Sequence, residues 1–228
     1  TILVNDDIDG GFPIYKGLSG KNNRGKDFAN FADIGIQKQI ISIATGKKTL
    51  DDADAFWTEI GEYDFAAIDN AVYEVLQKNP YAEILFNFTI RPCLFWSTKR
   101  PISELGVNYK GERVYGPGLY GTFTSDYSIV DTEGSGKFWM PSWSSEIFRT
   151  DCMDMLKAAS EHIRKQPYGK VVIGTTFSGG DDGQFGSAFY DQSIAAKKFF
   201  ADFLLKKYKS IDLLNKVWKS NYTSFEEI

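Results

Sequence analysis

The residues of this chain best equipped for chemistry crowd into one short stretch, residues 174–189, GTTFSGGDDGQFGSAF. Asp181 and Asp182 are adjacent carboxylates among glycines, and Gln184 stands between Gly183 and Phe185. A phosphate-binding loop would close on Lys-Ser or Lys-Thr, and SGGDDGQFG does not. A calcium loop alternates its acids and closes on Glu, so two adjacent aspartates match it poorly. Glycoside hydrolysis asks for something else: two carboxyl groups flanking the scissile bond, ~5–5.5 Å apart for retention or ~6.5–9.5 Å for inversion. Asp181 or Asp182 on such a loop suits the acid role. Gln184 has the shape of Glu but neither gives nor takes a proton at neutral pH. A glycine-rich turn with surface acids is the plain alternative, and an Asp181/Asp182 metal site in an unrelated α/β enzyme is a third.

Other chemistries fall away on composition. His162 is the only histidine, which removes His-based zinc sites and Ser-His-Asp triads, and it reads as a helix-end residue. Cys93 and Cys152 lie far apart without metal-ligand spacing. No metal and no cofactor is expected. The net charge is −4 with no Lys/Arg block, so nucleic acid is not an expected partner. No apolar run approaches the ~18 residues of a membrane span. The 18 Phe, 12 Tyr and 5 Trp suit either a large core or a site for flat ligands such as sugars. The chain opens on Thr1, so a removed leader, a trimmed tag or a fragment are all open, and cytoplasmic and exported locations both remain.

The elements that must position these residues can be read from periodicity. Residues 27–33 read as a short helix and 36–44 as a strand. Residues 45–64 read as a loop, and 65–77 as a helix with Ile68, Val72, Val75 and Leu76 at helical spacing. Asn79-Pro80 stops that helix, and residues 82–90 form a strand apolar on both faces. Asp64 and Asp69 read as helix caps. A long glycine- and aromatic-rich segment follows, with a short strand expected near 137–143. Residues 147–164 are a helix, with Glu146 favouring its dipole, and 170–177 are a strand. Ser193 is a candidate N-cap for the next helix, whose buried face is expected at Ala196, Phe199, Phe200, Phe203 and Leu204. A last helix runs from about 211 to 218. Apolar strands alternating with helices predict a parallel sheet with helical crossovers, either doubly wound or a closed (β/α)8 barrel. No Gly-x-Gly-x-x-Gly follows the first strand, which weakens the dinucleotide-binding option.

Four passages resemble the catalytic barrel of glycoside hydrolase family 42 and related β-galactosidase-like proteins. They are EYDFAAIDNAVYEVLQKNPYAEILFNFTIRP, FWSTKRP, PSWSSEIFRTD, and VVIGTTFSGGDDGQF continued by DQSIAAKKFFADFLLKKYKSIDLLNKVWKSNYTSFEEI. The last, with its Leu-Asn-x-x-Trp and closing Ser-Phe-Glu-Glu, is the most specific. The resemblance implies a TIM-type (β/α)8 barrel that hydrolyses terminal β-galactosides with retention. It implies an acid/base Glu after the fourth strand and a nucleophile Glu on the seventh. The position matching the acid/base is Gln184, a departure from the pattern, with Asp181 or Asp182 as fallback.

By strand count, residues 1–228 reach only about the fourth strand-helix unit. The expectation is therefore the N-terminal part of a barrel domain, a fragment of a longer protein or a half barrel completed by another chain or a homo-oligomer. Arg91, Trp96, Trp139 and Trp143 fall on strand-end loops and are candidates for holding a carbohydrate, Arg91 by hydrogen bonds or as a barrel ion pair, the tryptophans by stacking or as packing. The reading from another class is a carbohydrate-binding or scaffold barrel without catalysis.

Overall fold

The computed structural model describes residues 2–4, 7–9, 14–17, 24–46, 55–93, 96–114, 139–178 and 190–228, with side chains from residue 29 onward. In chain order the elements are β1 (Ile2–Val4), β2 (Asp7–Asp9), β3 (Ile14–Gly17), α1 (Arg24–Asp33), β4 (Lys38–Ala44), β5 (Trp57–Glu59), β6 (Glu62–Tyr63), α2 (Ala66–Lys78), β7 (Glu83–Thr89), α3 (Trp96–Lys99), α4 (Glu146–Lys165), β8 (Val172–Ser178), α5 (Ile194–Tyr208) and α6 (Ile211–Trp218). The main sheet has four strands in the order β3-β4-β7-β8, all parallel. Each strand lies beside its predecessor in the sheet, with α1 between β3 and β4, α2 before β7 and α4 before β8. β1 with β2 and β5 with β6 form two small antiparallel pairs outside it.

The sheet's two faces differ in chemistry. Register sets Ile41 beside Phe86 and Ile43 beside Phe88, and these pack with Ile68, Val72 and Val75 of α2 and Met155, Ala159 and Ile163 of α4. Such side chains stabilise the fold by roughly 1.5–3 kcal/mol each when fully buried. Alternation turns the intervening residues to the opposite face. There Lys38 pairs with Glu83 at 3.6 Å, and above them stand Ile40 beside Leu85 and Gly174. Next come Ser42, Asn87 and Thr176, then Ala44, Thr89 and Ser178. The expectation that residues 82–90 are apolar on both faces is thus corrected: the second face of β7 is polar from Asn87 upward. Asn87 is 2% exposed and donates its side-chain N–H to Ser42 Oγ at 3.0 Å, so the cost of burying it is met by a partner.

The predicted elements need two further corrections. No sheet strand forms at 139–143; Pro141 makes only an isolated antiparallel bridge with Leu105, and Met140 exchanges hydrogen bonds with Gly106 and Val114. The first strand of the sheet is instead β3, which four residues between glycine- and proline-bearing segments do not announce. On α5 only Ala201 and Leu204 are buried, whereas Phe199, Phe200 and Phe203 are exposed by 51%, 42% and 49%. Spacing identified an apolar stripe, but not whether anything covers it.

Caps hold the helix starts. Ser145, Ser193 and Ser210 accept from Phe148, Ala196 and Leu213 N–H, the side-chain capping that serine favours. Asp64 accepts from the Ala66 amide at 3.0 Å, as expected of a cap. Asp69 does not cap: its Oδ1 lies 2.7 Å from His162 Nε2 and accepts the Tyr168 hydroxyl. His162 stacks on Phe65 at 4.2 Å between ring centroids, so the single histidine joins α4 to the start of α2. After α6, Asn215 Oδ1 accepts from Ser220 Oγ and the Tyr222 amide, while its Nδ2 donates to the Tyr222 carbonyl. The Trp218 indole N–H reaches Tyr208 Oη at 2.9 Å. The most specific sequence passage is therefore a packing device. No described helix is long and apolar enough to cross a membrane.

Candidate functional site

The carboxyl ends of β4, β7 and β8 open on residues 45–64, 91 onward and 179 onward. In parallel βα sheets this end collects binding groups. Its framework is close backbone contact between the first two strands. The Thr45 amide donates to the Thr89 carbonyl at 3.0 Å, and the Trp57 amide to the Thr45 carbonyl at 2.9 Å, which folds the β5–β6 hairpin back over the end of β4. Thr45 Oγ1 donates to the Arg91 carbonyl and accepts from the Arg91 amide. A side chain on Gly46 would place its Cβ 1.7 Å from the Pro92 carbonyl oxygen, so the approach of the two strand ends requires glycine.

Arg91 continues the polar row of Asn87 and Thr89, and it is 7% exposed. This arrangement gathers a guanidinium, an amide and hydroxyls along one face, a set able to hydrogen-bond a polyhydroxylated ligand. Ser42, Asn87, Thr89 and Thr176 escaped the sequence reading. Their signal was available: polar residues at every second position of strands otherwise apolar.

The tryptophans divide. Trp96 is fully buried, meets Phe148 edge-on at 5.2 Å and donates its indole N–H to Asp151 Oδ2 at 2.8 Å. It offers no face for a sugar, and the expectation of a stacking surface is withdrawn for it. Trp143 is half-buried against the same Phe148 at 5.4 Å. Trp139 is half-buried, with the Arg113 guanidinium 4.4 Å over its ring. Gln184, Asp181 and Asp182 lie outside the described residues.

Two ion pairs brace the loops around this end. Glu59 of the hairpin pairs with Lys99 at 2.6 Å, and Asp151 holds Arg100 through two contacts of 2.9 and 2.7 Å. Cys93 is buried beside Glu59, and burial followed by that carboxylate pushes its thiol up to about 12. Burial likewise pushes the Cys152 thiol up, with Asp151 adding to it. Neither cysteine is a nucleophile at neutral pH. Among the described residues no group of three or more His, Cys, Asp or Glu side chains is placed to hold a metal ion.

Asp191 closes the framework on the far side. Its Oδ1 accepts from the Val107 and Ser193 amides at 3.2 and 2.9 Å, and its Oδ2 from Ser142 Oγ at 2.6 Å. One carboxylate thus ties the entry to α5 to the two segments that flank residues 115–138.

Sequential parallel strands with helices between them define a segment of a (β/α) barrel. Known proteins agree. The chain is similar in sequence to the β-galactosidase BbgII of Bifidobacterium bifidum, 26% identical over 160 residues, which cover 70% of this chain and 19% of that protein. In structure it is similar to the β-galactosidase from psychrophilic Marinomonas ef1, with a TM-score of 0.57, 18% identity, and 95% of this chain against 29% of that one. It is also similar to the catalytic domain of the β-amylase from Paenibacillus polymyxa, with a TM-score of 0.57, 14% identity, and 95% of this chain against 51% of that one. No family model matches. The fold is glycoside-hydrolase-like, and the chain spans less than a third of the length of the β-galactosidases it matches.

Proposed function

We propose that residues 1–228 are the N-terminal part of the barrel domain of a glycoside hydrolase that acts with retention on terminal β-galactoside-type sugars, this part being inactive alone. The observation that carries the reading is the superposition of 95% of the chain on a β-galactosidase, strand order included. Arg91, with Asn87 and Thr89 below it, hydrogen-bonds the sugar; Trp139 and Trp143 border it. Residues 179–189 present the acid/base position at Gln184. The nucleophile is supplied by polypeptide outside residues 1–228.

In this mechanism a carboxylate attacks the anomeric carbon as the leaving oxygen takes a proton, and water then releases the sugar. Glutamine at the acid/base position removes a contribution of roughly 10²–10⁴-fold for poor leaving groups. Activated aryl galactosides need little protonation and suffer less. The test is Gln184→Glu in the longer polypeptide, assayed on lactose and on nitrophenyl β-galactoside. A gain concentrated on lactose supports the assignment; no gain on either substrate removes Gln184 from the site.

Gln184 itself favours a second reading, a carbohydrate-binding barrel without turnover. Calorimetry with galactosides alongside the aryl assay separates the two, since binding without turnover selects the second.

A further inference from the structure

β8 pairs with β7 on one side, and no described strand bonds its other edge. The opposite edge of the sheet is β3, bonded only to β4 among the described residues. An open edge is a row of N–H and C=O groups awaiting a strand. The faces near β8 are also uncovered. Phe177 stands in register with Phe88, yet Phe88 is 1% exposed and Phe177 45%. Phe199, Phe200 and Phe203 run along the outer side of α5, and Leu213, Val217 and Trp218 of α6 are exposed as well. Exposed apolar surface on this scale marks an interaction site rather than scatter.

We propose that a polypeptide of residues 1–228 covers these surfaces with a second copy of itself, β8 of each protomer pairing in parallel with β3 of its partner. This does not rest on glycosidase activity. In a longer polypeptide the strands that follow would take the same edge.

Three observations select a second copy. First, the free edges match in direction. All four strands are parallel, so a twofold axis along the sheet's axis of curvature sets β8 against β3 in parallel at both junctions. Second, the number is right: two sets of four strands give the eight at which a (β/α) barrel closes, as the 51% coverage of the β-amylase catalytic domain also suggests. Third, the area suffices. The four phenylalanines leave about half of their ~150–250 Å² each uncovered, so two copies bring roughly 800 Å² of aromatic surface before the strands are counted, near the ~1,000 Å² lower bound of a specific interface.

The experiment is sedimentation equilibrium of residues 1–228 across the micromolar range, where the monomer mass is 25.7 kDa. A dimer is expected, and the Phe199→Glu/Phe203→Glu double variant should weaken it at least tenfold while the helical circular dichroism is kept. Tyr81→Glu, at a position 77% exposed and distant in sequence from both edges, should leave it unchanged. Amide exchange supplies a second readout should the double variant misfold: residues 172–178 should gain protection as the protein concentration rises. A monomer throughout, polydisperse aggregates, or a dimer indifferent to the double variant each overturn the proposal. So does rapid disulfide linkage of two copies through Thr175→Cys, which would set β8 against itself instead of β3.

Discussion

The hydroxyl of Thr45 holds both backbone polar groups of Arg91, donating to its carbonyl at 2.6 Å and accepting from its amide at 2.7 Å. Thr45 is fully buried, so no water replaces it easily. Thr45→Val keeps the shape and removes both bonds. It should cost about 1–3 kcal/mol, the usual penalty for stranding buried backbone groups. Thr45→Ser should restore most of that. Urea denaturation of the three proteins measures the difference, and equal midpoints for Val and Thr would remove the clamp from the argument.

Gly46 and Gly35 make a contrast between space and backbone angle. Gly46→Ala forces a Cβ to within 1.7 Å of the Pro92 carbonyl oxygen, which must spread the ends of β4 and β7. A loss of about 4 kcal/mol or more is expected, or failure to fold. Gly35 has φ of +78° and open space around it, so Gly35→Ala should cost only about 1–2 kcal/mol through the left-handed conformation. Thermal melts of the pair should show this order; the reverse order would refute the close approach.

The two thiols offer a chemical probe. Burial holds Cys93 as a thiol up to about pH 12 and shifts Cys152 the same way. Since only thiolate reacts, the folded chain should resist iodoacetamide at pH 8 and take up two equivalents after unfolding in urea. Intact-mass measurement before and after unfolding reads the result. Stoichiometric labelling of the native protein would show that this region opens readily.

Asp151 serves two donors, the buried Trp96 indole and the Arg100 guanidinium. Asp151→Ala leaves both without an acceptor and should destabilise by about 3 kcal/mol or more, the range for breaking a buried charge pair. Arg100→Ala should cost less, since Arg100 is the more exposed partner, 28% against 10%. Chemical denaturation should rank the two in that order.

Most of the scaffold was legible because it follows from periodicity. The boundaries of α2, α4, α6, β4, β7 and β8 fall within a residue or two of those read from apolar spacing and caps. The strand count came out at four through two opposite errors, β3 missed and a strand expected near 137–143. Hydrophobic pattern marks strands buried by neighbours, and β3 is too short to show one. The roles of Asp69 and Trp96 were hidden for another reason. Each is fixed by partners distant in sequence, His162 and Tyr168 for the first and Asp151 for the second. The exposed phenylalanines of α5 show the same limit, since a stripe specifies a contact without naming its partner. The expected catalytic loop was legible only as composition, and Gln184 lies outside the described residues.

His162 is the one imidazole in the chain, and it sits where α4 meets the start of α2, stacked on Phe65 and bound to Asp69. A proton spectrum of this protein therefore carries a single pair of imidazole signals, shifted by the ring current of Phe65. Those two lines form a built-in gauge of whether the outer helices are seated. They can be followed through every variant above without a label or a tag.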